Sequence, residues 1–387
     1  MQRFLKAIGA EFAVVNGWER ATFFKPYPTF KQEHSYCFPN WNGVVAKEVK
    51  SLCSGVGIAE ISGFNRYEIS GKGARDWLNS LTCSRTPERP GKVGLSYFLT
   101  EKGNVCGEAT LAIIEEDRIW YGSAAAAEYH DMDWLSERLP EDGAIAIKSL
   151  TNDYTTLVLV GPQSRALLQT VSPRTDWTEQ GFPSMSVRRS FIGHSAAIAM
   201  SVSFSGELAF ELHVPNDQLL AAYELLVSAG KEFHLSHFGM YAVESMRIEK
   251  GYGHWKADLI TEYNPVEAGL ERCVDMRKSF PGKAGLQAQL RSGLRKKRVL
   301  IAIDSDRAPA QPGESVFDGK TVVGTITSGA WGYRIARNIA MAYIDPEYAA
   351  VGTRLEVSLL GRCVRVDVCG ACLYDLEITA MRNSVWK

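Results

Sequence analysis

What these 387 residues lack narrows the function before any motif is read. No apolar run approaches the length of a bilayer span, and the opening MQRFLKAIGAEF carries charges where a secretory segment would be continuously apolar. The expectation is a soluble, cytoplasmic protein with no membrane partner. Excess charge of one sign is also missing: 43 Lys+Arg against 44 Asp+Glu leave a net charge of -1, so no basic field invites nucleic acid. Cysteine is sparse, with 8 residues scattered along the chain, which excludes a small disulfide scaffold and predicts mostly reduced, buried thiols. Cys369 and Cys372 form a CGAC with no second CxxC, and His234 and His237 form an HxxH with no further ligand at metal spacing, so no metal site is expected. Cofactor signatures fail by spacing. GKGARD from Gly71 and SGVGIAE from Ser54 both lack the third glycine of a dinucleotide fold. FDGKT at Phe317 lies one residue too far from Gly313 for a phosphate loop, and the alternation around it predicts a hairpin turn at Asp318-Gly319. No GxSxG is present.

What remains is an ordinary globular composition, 45% hydrophobic and 22% charged, in a chain long enough for two or three lobes. Helical periodicity appears in GARDWLNSL, HDMDWLSERL, QSRALLQTV and DQLLAAYELLVSAG, the last read as capped by Asn216 and ended by Gly230. Short strands such as TTLVLVG lie between them, without the regular beat of a doubly wound sheet, so the fold class is α+β. After the basic SGLRKKR, which ends at Arg298, the sequence alternates like strands, predicting a β-rich C-terminal lobe. AAIAMSVSF and ELAFELHV read as a hairpin turning at Ser205-Gly206. Period two puts Leu208, Phe210 and Leu212 on one side of the second strand and Glu207, Glu211 and His213 on the other. Glu211 is then either a solvated strand residue or a ligand anchor.

The segment SMRIEKGYGHWKADLITEYNPVEAGL, residues 245–270, is the most informative. Arg247 stands on the face of Val243 and Met240, so its guanidinium leaves from a position suited to burial and needs a carboxylate, a phosphate or a carbonyl array. Gly251 and Gly253 end the helix and let the chain turn closely around Tyr252, His254 and Trp255. Asn264, Pro265 and Glu267 supply an N-cap, a first-turn proline and a third-position acid for a new helical turn.

Five blocks in order, ISGFNRYEISGKGARDWLNSL, YFLTEKGNVCGEATLAI, VSFSGELAFELHV, the 245–270 segment and TSGAWGYRIARNIAMAYI, resemble the glycine-cleavage T-protein (aminomethyltransferase) superfamily. The likeness is greatest to the folate-binding half of dimethylglycine and sarcosine dehydrogenases, and FFKPYP resembles the linker that enters that half. The flavin-binding half has no counterpart here, so the chain is expected to stand alone.

The resemblance implies a three-lobed cloverleaf around a central tetrahydrofolate pocket. Residues 1–290 would form two intertwined α+β lobes of the folate-binding catalytic region, and residues 295–387 a C-terminal β-barrel. It also implies that Glu211, the second acid of the GExxxE pattern, holds the pterin, and that Glu108 in GNVCGEA stands where the family has a catalytic Asp. Arg247 and Trp255 match family positions of the pocket. Phe204 stands where many relatives have Tyr, and Tyr97 lies in the block leading to Glu108, its role open.

The implied activity is one-carbon transfer to N5 of tetrahydrofolate, from a methylated amine, betaine or sulfonium compound. Alternatively, a partner flavoprotein dehydrogenase delivers a methylene iminium. A folate-binding protein that transfers nothing is the contrasting class; the iron-sulfur maintenance branch carries a K-G-C-Y motif, where this chain has Lys250-Gly251-Tyr252-Gly253 without cysteine.

Overall fold

Two sheets and a barrel carry the architecture of the computed structural model, which describes residues 1–15 and 17–377. The first sheet is antiparallel throughout, in the order Val93–Leu99, Val105–Glu115, Arg118–Ser123, Asn65–Ser70, Ala146–Ser149. The second runs Ser186–Ile192, Ser195–Ser201, Ala209–Pro215, Tyr154–Val160, Val56–Ile61, Leu235–His237, with only the last pair parallel. The chain crosses between them twice, from Ile61 to Asn65 and from Ser149 to Tyr154, so neither sheet is continuous in sequence. The strands Lys297–Ile303, Arg337–Ile344, Thr321–Gly332, Ser315–Asp318, Arg354–Leu359 and Arg362–Cys369 close into a barrel, which leaves no open sheet edge in that lobe. The α+β class and the β-rich C-terminal lobe are thus present.

Alternation decides what each sheet covers. Tyr67, Ile69, Leu111 and Tyr121 point outward from the first sheet onto Ala74–Leu81 and Glu128–Ser136, burying Leu78 and Leu135. Leu157, Leu159, Phe210 and Leu212 point outward from the second onto Ser164–Val171 and Leu219–Gly230. The inner faces meet through Val93, Ala112 and Trp120 on one side and Val187, Ile198 and Met200 on the other. All four helices read from periodicity form.

Three local expectations need correction. The strands around Ser205-Gly206 stop at Ser201 and resume at Ala209, leaving a loop, 202–208, instead of a two-residue turn. Ser203 Oγ takes over there, accepting from the Gly206 amide and donating to the Glu207 carbonyl. Asn216 does not cap the next helix, which begins at Leu219; its side chain accepts from Thr155 Oγ1 and donates to the Asn152 carbonyl. The barrel hairpin pairs Asp318 with Thr321, so Gly319 and Lys320 make the turn, one residue later than expected. The cysteines are also less buried than expected: Cys83 alone is fully buried, Cys363 is exposed, and all eight are free. Most of them sit at the margins of the cores.

One helix, Met240–Glu249, bridges the second sheet and the barrel. It packs Ala242, Val243 and Met246 beside Val160 and Ala209 of the second sheet, and Ile248 beside Leu300, Ile339 and Met341 of the barrel. Three more of its positions, Ser245, Arg247 and Glu249, are polar yet buried, and each has a partner. Ser245 Oγ donates to the Trp331 carbonyl at 2.6 Å. Glu249, fully buried, accepts from the Arg334 amide at 2.8 Å and from its guanidinium. The same guanidinium donates at 2.7 Å to Glu207, from the loop of the second sheet. Arg334→Met leaves two buried carboxylates without a cation and is expected to cost about 3–5 kcal/mol. Urea unfolding checks this; an unchanged midpoint would mean the triad holds nothing together.

Candidate functional site

Tyr97 and Glu108 face each other across neighbouring strands, in register with Val93 and Ala112 further along the same inner face. Across the gap Glu211 pairs with Met200, and Ile198 with His213, on the inner face of the second sheet. Two carboxylates therefore project from opposing sheets above a shared apolar floor. Both side chains keep accessible surface, 37% for Glu211, although both carboxyls lie deep within the fold. Depth with retained accessibility means that they line internal space reached by water.

Their surroundings differ. Burial pushes Glu108 up to about 7, while the Tyr97 hydroxyl, donating to its carboxyl, and the Arg298 guanidinium pull the other way. Burial likewise raises the Tyr97 phenol well above its ordinary value, with Glu108 adding to the shift, so the hydroxyl keeps its proton. Burial raises Glu211 too, opposed by Arg66. Arg298 was legible in sequence only as the end of a basic stretch. The structure anchors it by Nε to the Ala268 carbonyl at 2.8 Å and seats Nη1 on Met341 Sδ at 3.5 Å. Gly253 makes room for it: a Cβ there would lie 2.6 Å from Nη1.

The loop after the central helix is built by a second residue that sequence reading missed, Asp258. It is fully buried and receives Arg247 Nη1 at 2.6 Å, the His254 amide at 2.9 Å, and the hydroxyls of Thr327 and Ser328. Burial alone would raise Asp258, but Arg247 and these hydrogen bonds hold it below the ordinary carboxylate range. Arg247 is 1% exposed, and it also donates to the Tyr252 carbonyl and to Glu244. Of the partners open to it in sequence, the structure supplies carboxylates from the protein itself. Its position four residues past Val243 was the signal for burial; the acid eleven residues on carried no periodic mark.

The loop then presents rings. Phe204, on the 202–208 loop, lies parallel to Tyr252 with centroids 6.5 Å apart and 6.4 Å from His254. Trp255 turns inward instead, 8% exposed, into the cluster that holds Tyr97, Leu259 and Tyr343. The structure thus gathers Tyr97, Glu108 and Trp255 on one side and Phe204 with Tyr252 and His254 on another, and buries Arg247 behind the loop. Asn264 and Glu267 form the expected reciprocal cap: Asn264 Oδ1 accepts from the Glu267 amide and Glu267 Oε2 from the Asn264 amide, both at 3.0 Å. Beside Tyr97, a surface cleft of about 470 Å³ is lined by Arg85, Arg272, Cys273, Asp275 and Arg277. Among the described residues no group of side chains is arranged to hold a metal ion, and no helix is long and apolar enough to cross a membrane.

Comparison with known proteins places this geometry. The family model described as the GCVT N-terminal domain matches residues 1–278, and that of the glycine cleavage T-protein C-terminal barrel domain matches residues 296–375. Human mitochondrial dimethylglycine dehydrogenase is 30% identical over 350 residues, covering 89% of this chain and 40% of that protein. The chain thus spans about two fifths of the length of the curated relatives it first matches. An aminomethyltransferase of Symbiobacterium thermophilum is 25% identical and covered over 92% of its length, with 93% of this chain matched. In fold, the glycine cleavage system aminomethyltransferase T from Bartonella henselae superposes with a TM-score of 0.82 over 98% of this chain and 97% of its own, at 21% identity.

Asp258→Asn removes the charge that holds Arg247 and the His254 amide. It is expected to cost about 3 kcal/mol in urea unfolding and to speed hydrogen exchange at His254. Wild-type stability in that variant would mean that Glu244 alone satisfies Arg247.

Proposed function

Because the chain belongs to the glycine cleavage T-protein family, we propose that it is a tetrahydrofolate-dependent one-carbon transferase that moves a methyl group from a methylated amine, betaine or sulfonium compound to N5 of tetrahydrofolate. The observation that carries the reading is the pair of deep, water-reached carboxylates, Glu108 and Glu211, on facing sheets with different partners. A pterin suits this space. It is flat, matching a gap between sheets, and its edge is rich in N–H donors, matching a carboxylate acceptor such as Glu211. Phe204, Tyr252 and a His254 kept neutral, chiefly by burial, offer a ring-lined face for a cationic methyl group. Trp255 and Tyr97 would back the pocket from the Glu108 side, and Arg247 would serve it by holding the loop.

When bound, tetrahydrofolate supplies at N5 a secondary amine that takes the one-carbon unit and gives up its proton. Glu108 is the group suited to receive that proton: its carboxyl titrates near neutrality, and Tyr97 and Arg298 fix its direction. The charged form is the acceptor, so turnover is expected to rise as pH climbs through about 7. The Glu side chain is one methylene longer than the family's Asp, and the Tyr97 hydroxyl limits the added freedom.

A second reading has its own support. The chain matches about two fifths of human mitochondrial dimethylglycine dehydrogenase, a dehydrogenase by name, so a partner flavoprotein that delivers a methylene iminium is the alternative donor. Single-turnover incubation with tetrahydrofolate separates the two: 5-methyl-tetrahydrofolate from an added methylated donor supports direct transfer. Formation of 5,10-methylene-tetrahydrofolate only with an oxidising flavoprotein supports the alternative. Binding without transfer in either case would leave a non-catalytic folate protein.

Two substitutions test the roles. Glu108→Gln should slow turnover by about 10²–10⁴-fold and abolish the rising limb near neutrality, with little change in tetrahydrofolate affinity. Glu211→Ala should weaken tetrahydrofolate binding by roughly 10- to 100-fold in calorimetry, the equivalent of losing one charge-assisted hydrogen bond of about 1.5–3 kcal/mol. Unchanged affinity would remove Glu211 from the pocket.

A further inference from the structure

Behind Glu211 lies a buried polar group that the proposed chemistry does not use. Arg66, His213 and Thr156 are 5%, 3% and 4% exposed. Arg66 Nη2 lies 2.7 Å from His213 Nδ1 and donates to Thr156 Oγ1 at 2.8 Å. A guanidinium only donates, so Nδ1 must be the lone-pair nitrogen of the ring, and the proton of the neutral imidazole must sit on Nε2. The ring stays neutral because burial, and then the Arg66 charge, push its pKa well below the ordinary value. Trp120 fixes its plane, edge-on at 5.8 Å, with Arg66 over the indole at 5.6 Å.

The Nε2–H is buried and has no hydrogen-bond partner among the described residues, and across 3.4 Å from it lies Glu211 Oε2. We infer that His213 is a positioning residue for the bound pterin: held as the Nε2–H tautomer by Arg66, it points that N–H at Glu211 Oε2 and orients the carboxylate so that its other lone pairs face the cavity. The inference deepens the reading of Glu211 as the pterin acceptor and rests on it. The contact is long for a hydrogen bond and should close when ligand draws Glu211 taut.

Two electrostatic supports for the Glu211 charge follow. His213 contributes a neutral donor from the same strand and Arg66 a cation from Asn65–Ser70. Met200 pairs with Glu211 across the ladder, Trp120 packs edge-on to His213, and Tyr154 couples to Arg66. Burial already raises Glu211, so loss of the N–H raises it further. A protonated carboxyl carries an O–H on one oxygen and has lost its charge, so it accepts a pair of N–H groups less well.

The test uses the purified chain and tetrahydrofolate, with affinity measured from about pH 6 to about pH 8. In His213→Leu, affinity should fall about tenfold at the upper pH and further at the lower, a steeper pH dependence than the wild type shows. In His213→Gln, whose amide oxygen accepts from Arg66 and whose N–H₂ donates to Glu211, affinity should stay within about threefold of wild type. Equal losses in both variants with no pH dependence, or a wild-type affinity in His213→Leu, would overturn the proposal. If His213→Leu does not fold, the ¹⁵N signals of histidine in the wild-type protein decide instead: protonation at Nε2 is expected, and a proton on Nδ1 would sink the idea. Failure of the underlying reading looks different. A wild type that binds no tetrahydrofolate, or a Glu211→Ala that binds it normally, removes that reading and this inference with it.

Discussion

The structure turns on one guanidinium. Arg334 belongs to the barrel, Glu249 to the central helix and Glu207 to the second sheet's loop, and the three charges meet where all are excluded from water. A carboxylate buried alone would protonate or open the structure, so each acid can be where it is only if the barrel is docked. The cation also donates to the Met246 carbonyl at 2.6 Å and lies under the Tyr374 ring, 3.9 Å from its centroid. Four segments thus share one charge. Apolar contact alone would let the barrel slide over the helix, whereas hydrogen bonds with fixed directions set one position.

That position determines the site. Glu207 lies four residues before Glu211 and three after Phe204, so the Arg334 contact pins the loop from which both depart. Two residues before Glu249, Arg247 leaves another side of the same helix and binds Asp258, which holds the His254 amide and, through the Asp258 carbonyl, the Tyr343 hydroxyl of the barrel at 2.8 Å. Gly251 lets the chain pass between these anchors: it adopts φ +73°, and a Cβ there would meet the Ala371 carbonyl at 1.9 Å. The loop that carries Tyr252, His254 and Trp255 is therefore held at its root by Arg247, in its body by Asp258 and against the last described segment by Gly251.

The sequence disclosed what repeats or alternates and hid what is brought together by the turn of the chain. Helices such as Ala74–Leu81 and the capping pair Asn264 and Glu267 are local, set by spacing within one element, and were legible. The inward face of Glu211 and His213 followed from period two. Arg298 and Asp258 were not legible, because their partners come from elements far along the chain and neither position breaks a pattern. Glu207 looked equivalent to Glu211 by parity, yet the ladder ends at Ser201 and the loop turns Glu207 toward Arg334 instead. The missed cap at Asn216 has the same origin, since Asn152 and Thr155 compete for a side chain that spacing alone assigns to the helix.

The same distinction separates the two acids of the site. Glu108 and Glu211 are identical side chains at similar depth, so burial treats them alike and raises both. Their neighbours do not. Glu108 meets a phenol that keeps its own proton, with a cation beyond it, an environment that leaves the carboxyl able to gain and lose a proton near neutrality. Glu211, raised by burial, has Arg66, whose charge opposes that rise, and a histidine held neutral, so it is suited to a fixed direction. A group that must move a proton and a group that must accept hydrogen bonds without moving one need such different neighbours. Placing them on opposing sheets supplies those neighbours independently, because Tyr97 and Arg298 can vary without disturbing Arg66 and His213.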